Sequence, residues 1–242
     1  MSRGLYTSAT GMVACQQWMD VVANNLANAS STGFKRDEIA FKESYLQKMM
    51  TDGGLGGEIG SLQSGPVSLG TFTVFEKGAI QMTSNPLDLA IDSEEGMFAV
   101  QTTNGTRYTR SGAFTLSDDG TIVTQGGNPV LDKSGRTIQA RGGKITIEPD
   151  GQVSDSKGVM GQIALYTGEF RKEGNAFYTV KDQAVLQDNP RMISGATESS
   201  NVNTVQTMIE MIQVQRLYEM AQKSVQQHDE ASKSLIEGYS RG

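Results

Sequence analysis

The stretch LYTSATGMVACQQWMDVVANNLAN, residues 5–28, contains no proline and one charged residue, Asp20. Leu5, Ala9, Met12, Gln16, Met19, Ala23 and Leu26 fall on one stripe whose steps alternate four and three, the spacing of a coiled-coil seam. Gly11, Cys15, Trp18 and Val22 form a second stripe at the same spacing. A surface helix of a globular domain buries one face. Two apolar stripes predict a helix covered on two sides, either by the rest of a large domain or by neighbouring chains. The helix is not membrane-spanning, because Gln16, Gln17, Asp20, Asn24 and Asn25 interrupt any apolar run of the ~20 residues a bilayer requires. The same interruptions argue against a secretory signal peptide.

The far end of the chain repeats this design. Ser199, Ser200 and Asn201 offer caps before a run without glycine or proline to Ile236, and Gly238 is expected to end the helix. One stripe is Val202, Val205, Ile209 and Ile212, continued by Arg216 and Glu219. Another is Met208, Met211, Val214, Tyr218, Ala221, Val225, His228, Ser232 and Leu235. At ~1.5 Å per residue the helix is roughly 50 Å long, longer than a small domain is wide, so part of it must pack against something besides its own β domain.

Between the helices the pattern changes. Residues 51–70 hold seven glycines and Pro66, a linker composition without either phosphate-binding glycine motif. From about Val67 to Val185, short alternating runs such as Leu87, Leu89 and Ile91 are separated by turn signals, among them Asn104-Gly105, Asp119-Gly120, Ser134-Gly135, Gly142-Gly143 and Asp150-Gly151. The expected fold class is α+β: long N- and C-terminal helices forming a coiled-coil-like bundle, with a central, mainly antiparallel β domain of barrel or sandwich type. The expected division is an N-terminal helix over 1–35, a glycine-rich linker and extended segment over 36–85, the β domain over 86–197 and a C-terminal helix over 198–242.

Composition limits the chemistry. A net charge of −6 argues against a nucleic-acid binder, which carries a basic footprint. A single cysteine, Cys15, excludes an internal disulfide. The one histidine, His228, lies on a helix stripe with no evident nucleophile to serve, and the usual histidine and cysteine ligands of a transition-metal site are missing. Asp92, Glu94 and Glu95, and Asp118 with Asp119, do not fit a calcium loop, and the latter pair reads as a hairpin turn. No catalytic residue, cofactor, metal or small-molecule substrate is expected.

Three sets of residues resemble one family. Gly4-Leu5-Tyr6-Thr7-Ser8-Ala9-Thr10-Gly11-Met12, Asn24-Asn25-Leu26-Ala27-Asn28 and Thr32-Gly33-Phe34-Lys35 lie at the start. Asn85-Pro86-Leu87-Asp88-Leu89-Ala90-Ile91, Gly96-Met97-Phe98 and Tyr108-Thr109-Arg110-Ser111-Gly112 lie in the middle. Ser199-Ser200-Asn201-Val202-Asn203, Met208-Ile209-Glu210-Met211-Ile212 and Gln215-Arg216-Leu217-Tyr218-Glu219 lie at the end. Together they resemble the bacterial flagellar basal-body rod and hook family, with one extra residue between Asn28 and Gly33.

The resemblance implies a structural subunit whose terminal helices bundle into a tube that transmits torque and encloses the export channel. It implies as partners the chain's own copies, other rod proteins and the flagellar type III export apparatus, and a place in the periplasmic rod reached without a cleaved signal peptide. The helical ends would then become ordered on assembly. Length is similar to that of the two larger rod proteins. Arg191-Met192-Ile193-Ser194-Gly195 favours the proximal one, and Gln213-Val214-Gln215-Arg216-Leu217-Tyr218-Glu219 the distal one; the balance leans to the proximal. Expected subunit-interface residues are Leu5, Met12, Cys15, Trp18, Met19, Val22, Asn24, Asn25, Leu26 and Asn28, with Asn201, Val202, Asn203, Val205, Met208, Ile209, Met211, Ile212, Arg216, Tyr218 and Glu219. Trp18 and Cys15 contact either a neighbouring subunit or an intramolecular partner. The glycine-rich segment either sets subunit packing or acts as a tether. The competing class is a β-rich binding module that dimerises through its helical ends.

Overall fold

The computed structural model describes residues 3–45, 63–140, 145–174 and 176–240. The chain divides into two units, the first made of residues 1–26, 37–72 and 204–242, the second of residues 27–36 and 73–203. Most of the glycine-rich segment and the Gly142-Gly143 pair lie outside the described residues.

The first unit holds both helices, α1 (Arg3–Ala27) and α2 (Thr204–Ser240), and a two-stranded sheet of Asp37–Tyr45 with Gln63–Thr73. The second strand therefore starts within the glycine-rich segment and takes in residues 63–66, upstream of the expected β pattern from about Val67. Ser8 meets Ser224 and Trp18 meets Glu210, so the helices run antiparallel. Arg3 starts α1 five residues before Ser8, whereas Ser240 ends α2 sixteen residues after Ser224. About three turns of α2 thus run past the start of α1. The helix also continues through Gly238, where the sequence predicted its end. One glycine costs a helix only about 1 kcal/mol, and without a following proline that does not stop it.

The second unit is an assembly of small antiparallel sheets rather than one closed barrel. Its largest sheet has six strands, in the order Phe170–Glu173, Phe177–Val180, Gly105–Thr109, Met97–Thr102, Leu165–Thr167 and Val185–Leu186. The Asn104-Gly105 signal forms the hairpin it predicted: Thr102 pairs with Gly105, and Gly105 takes φ +95°. Asp119-Gly120 likewise lies in the connection between Phe114–Leu116 and Ile122–Thr124. Leu89, Ile91, Phe98, Val100, Phe114, Ile122, Val130, Ile138, Val153, Ile163, Leu165 and Met192 form the apolar core. Phe98 and Phe114 meet edge to face at 5.1 Å between ring centroids. Short strands suffice where each supplies one or two core side chains, as Leu89–Ile91, Phe114–Leu116 and Ile122–Thr124 do, and the turns keep them in register.

Candidate assembly face and buried junction

The two stripes on α2 have different fates. Thr207 and Val214 are buried, and Met211, Tyr218, Ala221, Val225 and His228 are half-buried, spaced in fours and threes along one face. The other stripe stays in solvent: Val205 is 68% exposed, Ile209 45% and Ile212 50%. Met208 stands on this outer face, not with the inner stripe to which its spacing assigned it. On α1, Ala14 and Val22 are buried and Gly11, Cys15 and Trp18 half-buried, while Ala9, Gln16 and Ala23 are exposed. The second stripe is therefore the better covered face of α1, while the longer seam alternates half-buried Met12, Met19 and Leu26 with exposed Ala9, Gln16 and Ala23.

Trp18 ties the first unit together. Its Nε1 donates to Glu210 Oε1 at 2.7 Å, and its ring stands edge-on to Phe41 at 6.0 Å. Trp18 therefore has intramolecular partners on α2 and on the strand Asp37–Tyr45. Asn25, also buried, clamps the strand that follows: its Nδ2 donates to the Asp37 carbonyl at 2.7 Å, and its Oδ1 accepts from the Asp37 amide at 2.9 Å. Burial pushes the half-buried Cys15 thiol up from its ordinary pKa.

In the second unit, the segment after α1 and the segment before α2 are stitched side by side. Gly33 N donates to the Glu198 carbonyl at 2.7 Å, and Asn201 N to the Phe34 carbonyl at 3.3 Å. Asn201 Oδ1 accepts from Arg36 N at 2.7 Å, and its Nδ2 donates to the carbonyls of Val74 and Glu76. Lys172 Nζ sits 3.8 Å from the Phe34 ring centroid and donates to the Lys35 carbonyl.

At the centre of this junction is Glu198, 1% exposed. Lys35 Nζ reaches its Oε1 at 2.6 Å, Arg110 Nε reaches its Oε2 at 2.6 Å, and Gly78 N adds a bond at 2.8 Å. Lys35 Nζ also donates to the Glu76 carbonyl. The rest of the Arg110 guanidinium donates to the carbonyls of Ser93, Glu94 and Gly96. Burial by itself raises the Glu198 carboxyl, but the Arg110 charge, the Lys35 hydrogen bond and the Gly78 amide outweigh it and hold the group below its ordinary range. Burial dominates at Lys35, whose ammonium is pulled below the usual lysine value despite Glu198. Two buried cations share one carboxylate, an arrangement costly to break from either side.

The remaining expected interface residues scatter. Met12, Met19, Asn24, Leu26, Asn28, Val202, Met211 and Tyr218 are half-buried; Asn203, Arg216 and Glu219 are exposed. The side chain of Leu5 lies outside the described residues. Asn28 Oδ1 accepts from Ser31 Oγ at 3.2 Å, helping the chain turn after α1. Sequence reasoning quoted Lys35 and Arg110 within motifs but gave neither a role, and it passed over Glu198. The available signal was a basic residue in each of two otherwise apolar or small-residue motifs, which calls for a buried counter-ion.

A polar cavity of about 290 Å³ is lined by Asp132, Arg136, Gln139, Asp155 and Lys157. Asp132 there accepts from the amides of Ser134 and Arg136 and from the Arg136 guanidinium, the pattern of a turn. Among the described residues, no helix is long and apolar enough to cross a membrane, and no group of three His, Cys, Asp or Glu side chains is placed to hold a metal.

Comparison with known proteins matches the same three regions. Residues 5–35 match the family described as flagella basal body rod protein, residues 90–155 the flagellar hook protein FlgE/F/G D1 domain, and residues 193–237 the flagellar basal body rod FlgEFG protein C-terminal family. Lys35, Arg110 and Glu198 fall one in each. The chain is 33% identical to the flagellar basal-body rod protein FlgF of Caulobacter vibrioides, over 98% of both chains. It is also 33% identical to FlgG of Bacillus subtilis, again over 98% of both. It is 29% identical to the flagellar hook-basal body complex protein FlhO of Bacillus subtilis, over 96% of both. With full-length likeness at this level and all three regions matched in order, the chain belongs to the flagellar basal-body rod protein family.

Proposed function

We propose that this protein is a structural subunit of the flagellar rod that polymerises through its terminal helices, with its own copies and with other rod proteins, into a tube that transmits torque and encloses the export channel. The observation that carries this reading is the outer face of α2. Val205, Met208, Ile209 and Ile212 form a continuous exposed apolar stripe beside a helix face that is already covered. A solvated helix face is ordinarily polar, and a contiguous apolar one marks a protein contact. The last turns of α2, which extend past the start of α1, add length that the chain's own helix does not cover. Subunit contacts are assigned to Val205, Met208, Ile209 and Ile212, with Asn203, Arg216 and Glu219 as polar neighbours. The export apparatus delivers the chain to the periplasmic part of the basal body.

Of the two larger rod proteins we read this one as the proximal, on Arg191–Gly195, which contributes the strand Met192–Ser194. Equal identity to a FlgF and a FlgG keeps the distal position as the second reading.

The test is a photo-crosslinking residue at position 212 in cells whose only copy is the modified chain, followed by identification of crosslinked partners in purified basal bodies. Crosslinks to further copies and to a rod neighbour are expected, and the neighbour's identity decides proximal or distal. A discrete dimer outside the basal body would replace this reading with the binding module.

A further inference from the structure

Each long helix leaves a face in solvent, and the two faces are complementary. On α1, Ala9, Val13, Gln16, Asp20, Ala23 and Ala27 are all exposed and recur in steps of four and three, which sets them on one side of the helix. The buried Ala14 and Val22 lie on the opposite side. On α2, Val205, Ile209, Ile212, Arg216, Glu219 and Lys223 are exposed at the same steps, opposite the buried Thr207 and Val214. The α1 face is made mostly of small side chains, whereas the α2 face begins with bulky ones. Ridges of large side chains seat in the grooves that small ones leave. The faces also carry opposite charge. Asp20 is the one charged residue between Leu5 and Asn28, and on α2 Arg216 follows directly on the apolar stripe. Among the described residues, neither has an ion-pair partner within the chain. The chain cannot join them itself, because its helices pack through their other sides.

We propose, resting on the assembly reading above, that the exposed face of α2 takes the exposed face of α1 from a second copy of this chain, antiparallel, with Asp20 set against Arg216. The helices already run antiparallel within one chain. Copies that all point the same way therefore present α1 antiparallel to a neighbour's α2. With Asp20 opposite Arg216, Ala23 falls opposite Ile212 and Ala27 opposite Ile209, so small meets large along the apolar stripe. Val13 falls opposite Lys223, whose aliphatic stem can cover it. The ion pair fixes the register, since a slip of one turn would leave Asp20 facing Ile212 or Met220. The contact uses a different patch on each copy. Each added copy thus leaves one free face of either kind, and the array propagates instead of closing as a pair.

The test uses full-length chains carrying Ala23→Cys and chains carrying Ile212→Cys, with different tags and with Cys15→Ala in both, co-expressed as the only copies in the cell. Purified basal bodies are then oxidised. A disulfide joining the two tags is expected, with none between chains of one kind. Basal bodies that hold both chains but give no mixed disulfide would overturn the docking and leave the assembly reading standing. So would a disulfide formed by Gln16→Cys in place of Ala23→Cys, which marks the parallel register. Absence of the unmodified chain from basal bodies would overturn the assembly reading, and the docking with it. Charge reversal decides independently of the cysteines. Asp20→Arg is expected to cut incorporation by about tenfold through like charges at the contact, with the helix content of the isolated chain unchanged. Adding Arg216→Asp is expected to restore incorporation. A double variant no better than Asp20→Arg alone would overturn the pairing.

Discussion

Trp18 Nε1 donates to Glu210 Oε1 across 2.7 Å, joining positions 192 residues apart and tying the first long helix to the last. Trp18 is the only tryptophan, so its fluorescence reports on the first unit, where the ring lies between α2 and Phe41. Glu210→Ala is expected to shift that emission to the red and to weaken the pair by about 1–2 kcal/mol, the range for a hydrogen bond to a charged group that is partly solvated. Urea titration followed by tryptophan emission measures it. An unchanged midpoint would show that the bond forms without stabilising the pair.

The two faces of α2 make opposite predictions. Val214 is fully buried, and Val214→Ala is expected to cost about 2 kcal/mol through lost burial and the cavity left behind. Ile209→Ala, on the exposed stripe, is expected to change monomer stability by less than about 0.5 kcal/mol while impairing incorporation into basal bodies. Circular dichroism melts of both variants, set beside a motility assay, separate the folding face from the assembly face.

Gly33 is required by close approach as well as by conformation. Its φ is +68°, and an added Cβ would lie 2.5 Å from the Arg110 carbonyl carbon. Gly33→Ala is expected to destabilise the β unit by more than about 3 kcal/mol, the strain of a left-handed residue plus backbone overlap. Gly127 shares the conformation, at φ +77°, but has open space around it. Gly127→Ala should cost only about 1 kcal/mol. Guanidinium unfolding of the pair, followed by a probe in the β unit, distinguishes overlap from strain.

Acid should loosen the β unit through Glu198. A carboxyl held low in the folded state binds its proton more readily once unfolded. Its contribution is therefore present above the ordinary carboxylate pKa and drains away as the pH falls through the lower folded value. The expected window lies below the ordinary glutamate range. Melting temperatures of the β unit should fall there in the wild type and follow a flatter profile in Glu198→Gln. Asp92 and Asp119 are also held low, by the Lys77 hydrogen bond and by the Thr121 amide, but they are fully exposed and add little. Identical pH profiles for the two proteins would assign the acid sensitivity elsewhere.

Much of the architecture was legible because it rests on local pattern. The four-three spacing of α1 and α2 and the Asx-Gly hairpins follow from backbone geometry and near-neighbour side chains. The polar logic was less legible. Asn25 and Asn201, expected at subunit contacts, clamp the chain's own backbone at Asp37 and at Arg36, Val74 and Glu76. An asparagine's partner is set by whichever unpaired amide or carbonyl the fold brings near, which no spacing encodes.

The sequence by itself determined that each terminal helix would carry two apolar stripes and that short antiparallel strands would lie between them, because periodicity is a property of the chain. Only the tertiary structure decided which stripe would be covered. Val214 and Trp18 turn toward intramolecular partners, and Val205, Ile209 and Ile212 are left to solvent. It also decided that Lys35, Arg110 and Glu198, far apart in sequence, would share one buried site. Burial and charge pairing depend on distances between segments, and those exist only once the chain has folded.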